Sequence, residues 1–219
     1  MTDIHNLCDT NSLVGIYMSQ LRDKQLQNDR MRFRRNVQRL GQICAYEISK
    51  NLNYAPTVTE TPLGDANTIA LGDKVVLATI LRAGLPFHEG FLSYFDDAEN
   101  AFVSAYREYT GENDEFRVNV EYLASPSIEG KTLVIVDPML ATGTSLGLAY
   151  RAMLQRGTPA RIHVASVIAT DTAIHNLGKY LPEDITTVWS CDIDKHLNEH
   201  SYIVPGLGDA GDLLYGEKL

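Results

Sequence analysis

Val134-Ile135-Val136-Asp137-Pro138-Met139-Leu140-Ala141-Thr142-Gly143-Thr144-Ser145 is the stretch on which the fold turns. A β-branched strand ends in an acid, and a small, hydroxyl-rich loop then leads into a helix predicted from about Ser145 to Arg156. The first backbone N–H groups of such a helix have no partners within it, so they point at an anion that the helix dipole also favours. Gly143 lets the backbone come close to that anion, and Thr142, Thr144 and Ser145 add hydroxyl donors. Asp137, at the strand end, accepts from vicinal hydroxyls and repels a phosphate, so a sugar and its phosphate are provided for side by side. A strand–acid–glycine–helix turn also serves as a plain capped turn in many α/β chains, and the remaining sequence has to decide between the two.

Upstream of it, Leu13, Ile16, Tyr17 and Leu21, then Phe33, Val37, Leu40, Cys44 and Ile48, recur at three- and four-residue intervals, which predicts amphipathic helices. Strand-like runs are expected at Asn67–Ala70, Val75–Ile80, Ala101–Tyr106, Val118–Leu123, Thr132–Val136, Arg161–Ala169 and Thr186–Cys191, with helices at Leu85–Tyr94, Ser145–Arg156 and Thr172–Tyr180. Strands alternating with helices imply a parallel sheet. Residues 101–123 are the exception, because two strands flank Gly111-Glu112-Asn113-Asp114 with no helix between them, and they read as a β-hairpin arm. No internal repeat, low-complexity tract or linker divides the chain, so 1–219 reads as one α/β domain with N-terminal helices within 1–53.

A chain of 219 residues is long enough for one such core. Its net charge of −9 argues against a nucleic-acid partner, which needs a basic face. The start, Met1-Thr2-Asp3-Ile4-His5, has neither a basic region nor an apolar core, and the apolar run near Val75–Leu81 is too short to span a bilayer; a cytoplasmic protein without a membrane partner is expected. Cys8, Cys44 and Cys191 are odd in number and far apart in sequence, which fits free thiols in a reducing compartment.

Several short motifs read as coincidences. His196-Leu197-Asn198-Glu199-His200 matches H-x-x-E-H, but it lies between a strand and the Pro205-Gly206 turn, with no helix to set both imidazoles on one face and no downstream ligand helix. Gly206-Leu207-Gly208-Asp209-Ala210-Gly211 matches G-x-G-x-x-G, yet the further strand and acid of a dinucleotide fold have no room before Leu219. Gly130-Lys131-Thr132 precedes a strand rather than a helix and reads as a turn. The basic cluster Arg30, Arg32, Arg34, Arg35 and Arg39 is spread over more than one helical face; a solvated helix is the expectation, with a subunit contact or an anionic effector site as the alternatives.

The stretch 134–145 resembles the phosphoribosyl pyrophosphate motif of type I phosphoribosyltransferases, and Asp137-Pro138-Met139-Leu140-Ala141-Thr142-Gly143 is similar to its uracil phosphoribosyltransferase version. Ile80-Leu81-Arg82-Ala83-Gly84-Leu85 resembles that family's pyrophosphate loop, and residues 197–212 resemble its base-recognition loop, in matching order and spacing. The resemblance spans roughly residues 20–216. It implies a central, mostly parallel sheet flanked by helices, the hairpin arm, and a C-terminal base-binding hood at 192–216. It implies transfer of a phosphoribosyl group from phosphoribosyl pyrophosphate to N1 of uracil, giving UMP and pyrophosphate. Alternatives on the same fold are a phosphoribosyltransferase for another base, or a weakly active nucleotide-sensing regulator.

Carried over residue by residue, the donor falls to Arg82, Arg107, Asp137, Pro138, Met139, Leu140, Ala141, Thr142, Gly143, Thr144, Ser145 and Asp209. The base falls to Ile203, Gly208, Asp209 and Ala210, and catalysis to Asp209, Arg107 and Asp137. Arg82 follows a buried strand, with Gly84 permitting unusual backbone geometry, and Arg107 at the hairpin brings a second cation to the leaving group as the arm closes. Asp209 either positions the metal-loaded donor or assists loss of the N1 proton. Mg²⁺ is expected to arrive with the diphosphate and few protein ligands, and a homodimer or higher homo-oligomer follows from the likeness. A glycine-rich loop of exposed amides and carbonyls suffices to read uracil, and cytosine would leave such groups unpaired, a penalty of about 10⁴–10⁵ in discrimination. Two departures stand out: Thr144 replaces a usual second Gly, and the arm at 108–115 differs from the family's sequence.

Overall fold

The computed structural model describes residues 3–109 and 116–217, with the backbone alone described at 105–109 and 116–120. The chain opens with β1 (Asp3–Asn6), α1 (Leu13–Arg22) and α2 (Arg30–Ser49), followed by a hairpin of β2 (Tyr54–Thr61) and β3 (Gly64–Leu71). Next come β4 (Val75–Leu81), α3 (Leu85–Leu92), β5 (Glu99–Tyr109), β6 (Phe116–Ala124), β7 (Thr132–Val136), β8 (Met139–Leu140) and α4 (Thr144–Met153). The chain finishes with β9 (Arg161–Thr170), α5 (Asp171–Leu177), β10 (Thr186–Asp194), β11 (His196–Leu197), β12 (Ile203–Val204) and α6 (Ala210–Tyr215).

The main sheet runs β1-β10-β9-β7-β4-β5-β6, with β8 also paired to β9. Every pairing in it is parallel except β5 with β6, which is the expected α/β layout. Alternation along the strands sorts the side chains into two layers. Val75, Leu77, Val134 and Val136 face the layer built from α1, α2 and α3, including Leu21, Phe33, Leu40, Phe87 and Phe91. Val76, Ala78, Ile80, Leu133 and Ile135 face the opposite layer, with Leu146 and Met153 of α4 and Ala173 and Leu177 of α5. Strands covered on both sides read as continuous apolar runs, and β7 is buried at every position.

The helices begin where the sequence supplies caps. Ser12 accepts from Val14 N at 3.2 Å, and Asp29 accepts from Arg32 N at 3.0 Å. The buried residues of α2, among them Phe33, Val37, Leu40, Cys44 and Ile48, follow the predicted spacing and form one stripe.

Three features differ from the sequence-based expectation. β1 pairs with β10 at the sheet edge, and four mixed residues carry no periodicity that would have revealed it. The β2–β3 hairpin forms its own sheet, in which only part of β3 was expected; its residues are mostly exposed on both faces, so no buried stripe marks it in the sequence. The expected arm at 101–123 is a hairpin whose root belongs to the main sheet: Glu99–Ser104 pairs with β4, and only the part beyond the register shift at Ser104/Ala105 continues with β6 alone. Among the described residues no helix is long and apolar enough to cross a membrane.

Candidate active site

Chain order and sheet order change direction at β4. The segment after β4 runs to β5 on one side, and the later strands β7, β9 and β10 lie on the other. Such a switch point leaves a crevice at the carboxyl ends of the two central strands. The loops that leave those ends are 82–84 after β4 and 137–143 after β7, and both strands are in register there, Thr79 opposite Val136. Two segments singled out in the sequence are thus neighbours for a topological reason.

The loop after β7 is braced from its neighbour. Met139 and Leu140 pair with Ile168 and Ala169 of β9, and Asp137 N donates to Ala165 O at 3.1 Å. Thr170 Oγ1 donates to Ala141 O at 2.8 Å while accepting from Ala173 N at 2.9 Å, so one buried hydroxyl both caps α5 and holds the loop. Asn176 Nδ2 adds a bond to Thr142 O at 3.2 Å. Gly143 stands at φ 77°, a left-handed value, and precedes α4 with no side chain capping the helix. The helix starts at Thr144, one residue before the predicted position, and Thr142 Oγ1 donates to Thr144 Oγ1 at 3.3 Å. Thr144, Ser145 and the α4 amides therefore stand at the mouth of the loop, where an anion is favoured. Met139 N donates to the Asp137 carboxylate at 3.3 Å, which orients that acid at the strand end.

The loop after β4 is tight. Gly84 N donates to Ile80 O at 3.0 Å, and a Cβ at Gly84 would collide with Thr79 Oγ1 and lie 2.6 Å from Ile80 O. This corrects the expected role of Gly84: its φ of −67° and ψ of −20° are ordinary helical values, and it is the missing side chain that the turn requires. Arg82 Nη2 lies 3.5 Å from Asp212 Oδ1, so the loop after β4 is tied to α6 in the C-terminal hood.

In the hood, Asp209 is the N-cap of α6 and accepts from Asp212 N at 3.0 Å. Gly208 is exposed at φ 88°, while the side chains of Ile203 and Ala210 are buried in the core. A cavity of about 430 Å³ is lined by Gln27, Asn28, Arg30, Gly208, Asp209 and Asp212. Arg107 lies in β5 opposite Val118, and its side chain is outside the described residues, as is the arm segment 110–115.

Sequence reasoning missed the residues that hold the hood in place. Arg22 donates to Asp192, Asp194 and Gly206 O, and Arg34 Nη1 donates to Leu214 O at 2.7 Å. These charges read as ordinary surface residues, because their partners lie more than 160 positions away. The other contacts of the α2 basic cluster are local: Arg35 reaches Gln38, Arg39 reaches Asn36 and stands over the Tyr17 ring, and Arg32 pairs with Asp29. The three cysteines are free, as expected, but Cys44 and Cys191 are not apart in space; their Sγ atoms are 3.5 Å from each other in the core. His196-Leu197 forms a short β-ladder with Ile203-Val204, and among the described residues no group of three or more His, Cys, Asp or Glu side chains is arranged to hold a metal ion.

A family model described as uracil phosphoribosyltransferase matches residues 8–217. A uracil phosphoribosyltransferase of Porphyromonas gingivalis is 54% identical over 217 residues, covering 99% of this chain and all of the relative. One from Methanothermobacter thermautotrophicus is 40% identical over 186 residues, covering 84% and 83% of the two chains. Among solved structures, the AQ2163 protein of Aquifex aeolicus superposes with a TM-score of 0.85 at 29% identity, covering 97% of each chain.

Proposed function

The chain belongs to the uracil phosphoribosyltransferase family, and we propose from this that it transfers the 5-phosphoribosyl group of phosphoribosyl pyrophosphate to N1 of uracil, releasing pyrophosphate and UMP. The observation that carries the reading is the meeting of the loops after β4 and β7 at the switch point, with the glycine-rich hood tied to the first of them through Arg82 and Asp212.

The amides and hydroxyls of 141–145 hold the 5′-phosphate at the start of α4, and Asp137 accepts from the ribose hydroxyls. Arg82 and Arg107 supply the cations that offset the charge building on the diphosphate as the C1–O bond breaks. Backbone groups at Ile203, Gly208 and Ala210 read the base. Asp209 stands between base and donor, where it orients the donor or takes the N1 proton. Holding the two reactants in line supplies up to about 7–11 kcal/mol of the barrier reduction, and the guanidinium groups stabilise the leaving group further.

The donor carries Mg²⁺ in this reading. With no cluster of three or more ligating side chains among the described residues, such a cation would be held chiefly by the diphosphate, with Asp209 as the carboxylate that would assist. Bound there, Mg²⁺ neutralises charge on the leaving group.

We place the enzyme in the cytoplasm, in keeping with its free thiols, with no nucleic-acid or membrane partner. A homodimer or larger homo-oligomer is part of the proposal, supported by the exposed apolar side chains Val58, Leu63 and Ile69 of the β2–β3 hairpin. Light scattering on the purified protein tests that assembly. For the reaction, a spectrophotometric assay with the donor and several bases is decisive: turnover with uracil is expected, and turnover with purines alone, or with no base at all, would overturn the assignment.

A further inference from the structure

At the carboxyl end of α1, Leu21 is fully buried in the core and fixes the position of the next residue, Arg22. The guanidinium of Arg22 closes a ring around one residue of the loop at 203–209, Gly206. Its Nη1 donates to Gly206 O at 2.9 Å and to Asp194 Oδ2 at 2.9 Å, while Gly206 N donates to the same Asp194 oxygen at 2.8 Å. Its Nη2 donates to Asp194 Oδ1 at 3.0 Å and to Asp192 Oδ2 at 2.7 Å. Both polar groups of Gly206 are thereby consumed, at a φ of 62° and with Ile203 O where a Cβ would stand. Gln27, just beyond α1, donates to Leu207 O at 3.4 Å. The Asp194 side chain is 8% exposed and that of Arg22 21%, so water competes little for these bonds.

We propose that Arg22 and Asp194 are positioning residues for base recognition, clamping the two peptide groups that flank Gly206 so that the backbone from Gly208 to Ala210 is presented to uracil in a single conformation. The inference rests on reading residues 203–210 as the base site. The clamp ties α1 to the end of β10 and to the loop, and it touches neither substrate. A guanidinium is suited to the task because its planar fork bonds Asp192, Asp194 and a carbonyl together, whereas an ammonium is a point charge that cannot span all three. Burial pulls the Arg22 pKa down, but the hydrogen bonds to Asp194 and Asp192 outweigh it and hold the pKa above its ordinary value, so the guanidinium stays charged.

The test is steady-state kinetics with uracil and donor varied separately, on the full chain and on Arg22→Gln, Arg22→Lys and Asp194→Asn, with melting temperatures alongside. Loss of charged hydrogen bonds of this kind is expected to raise the uracil KM about tenfold to a hundredfold in Arg22→Gln, while the donor KM stays within about twofold. Arg22→Lys should recover part of the loss. Equal rises in both KM values, a fall in kcat alone, or unchanged kinetics would overturn the proposal. If Arg22→Gln does not fold, the same split is read from Arg22→Lys and Asp194→Asn, and failure of all three to fold would show a structural pillar and reject the positioning role. A wild-type chain that ignores uracil refutes the reading of the site itself, while silent variants of an active enzyme refute only the clamp.

Discussion

The loop at 137–143, the proposed phosphate site, is braced by the adjoining strand and helix, whereas the loop at 203–209, the proposed base site, is braced largely from the far end of the chain. Thr170 reaches the first across 29 positions, and Arg22 reaches the second across 184. The first loop presents helix amides and hydroxyls that are part of its own sequence. The second, in the proposed reading, presents backbone whose shape is held by the side chains of Arg22 and Asp194. In the proposed reading, the grip on a phosphate is encoded locally, while discrimination between flat, similar bases depends on contacts made across the fold.

The largest effect that separates chemistry from scaffolding is expected at Asp209. Asn caps a helix as well as Asp does, so Asp209→Asn should leave the melting temperature unchanged while kcat falls about 10²-fold or more. A comparable loss of stability would make Asp209 a cap and nothing else. Arg107→Ala comes next: a lost charge-assisted contact to the diphosphate should lower kcat/KM for the donor about 10–100-fold, with uracil binding measured by calorimetry little altered. Thr170→Val removes both the bond to Ala141 O and the cap on Ala173 N. A stability cost of about 1–2 kcal/mol and a rise in donor KM of about tenfold or less are expected, with uracil KM unchanged. If uracil KM moves as well, the two loops are not independently braced.

The smallest effect lies outside both loops. Burial, aided by Arg161, lowers the pKa of His163 from 6.5 to about 4. The unfolded chain therefore takes up that proton first, so the stabilising contribution of neutral His163 is complete above about pH 6.5 and is lost progressively as pH falls towards 4. Urea midpoints at pH 7 and pH 5 should differ less in His163→Gln than in the parent; equal differences would remove His163 from the acid sensitivity.

The same contrast explains what was legible in the sequence. Val134 to Ser145 announced a strand, a turn and a helix start because all three depend on consecutive residues, and the alternation of strand-like and helical segments announced a parallel sheet. Arg82 was singled out through the family resemblance, because an arginine at a strand end is by itself an ordinary surface charge. Arg22, Asp192, Asp194, Thr170 and Asn176 were not, because a hydrogen bond made across the fold leaves no periodicity behind. Gly84 was singled out for the wrong reason, since a close approach to Thr79 and an unusual φ both call for glycine and only coordinates tell them apart. The β2–β3 hairpin escaped because its residues are largely open to water on both faces, so nothing alternates.

The single tryptophan gives this molecule a built-in optical gauge. Trp189 lies on β10 with the His5 ring of β1 stacked 3.9 Å above it, and its indole N–H donates to His163 Nδ1 at 3.2 Å. Because the indole is 3% exposed, peeling away the edge strand would wet it while the central strands remain paired, so emission moves red before the far-ultraviolet signal is lost. Fluorescence and circular dichroism followed on one sample would thus resolve fraying of the sheet margin from collapse of the whole.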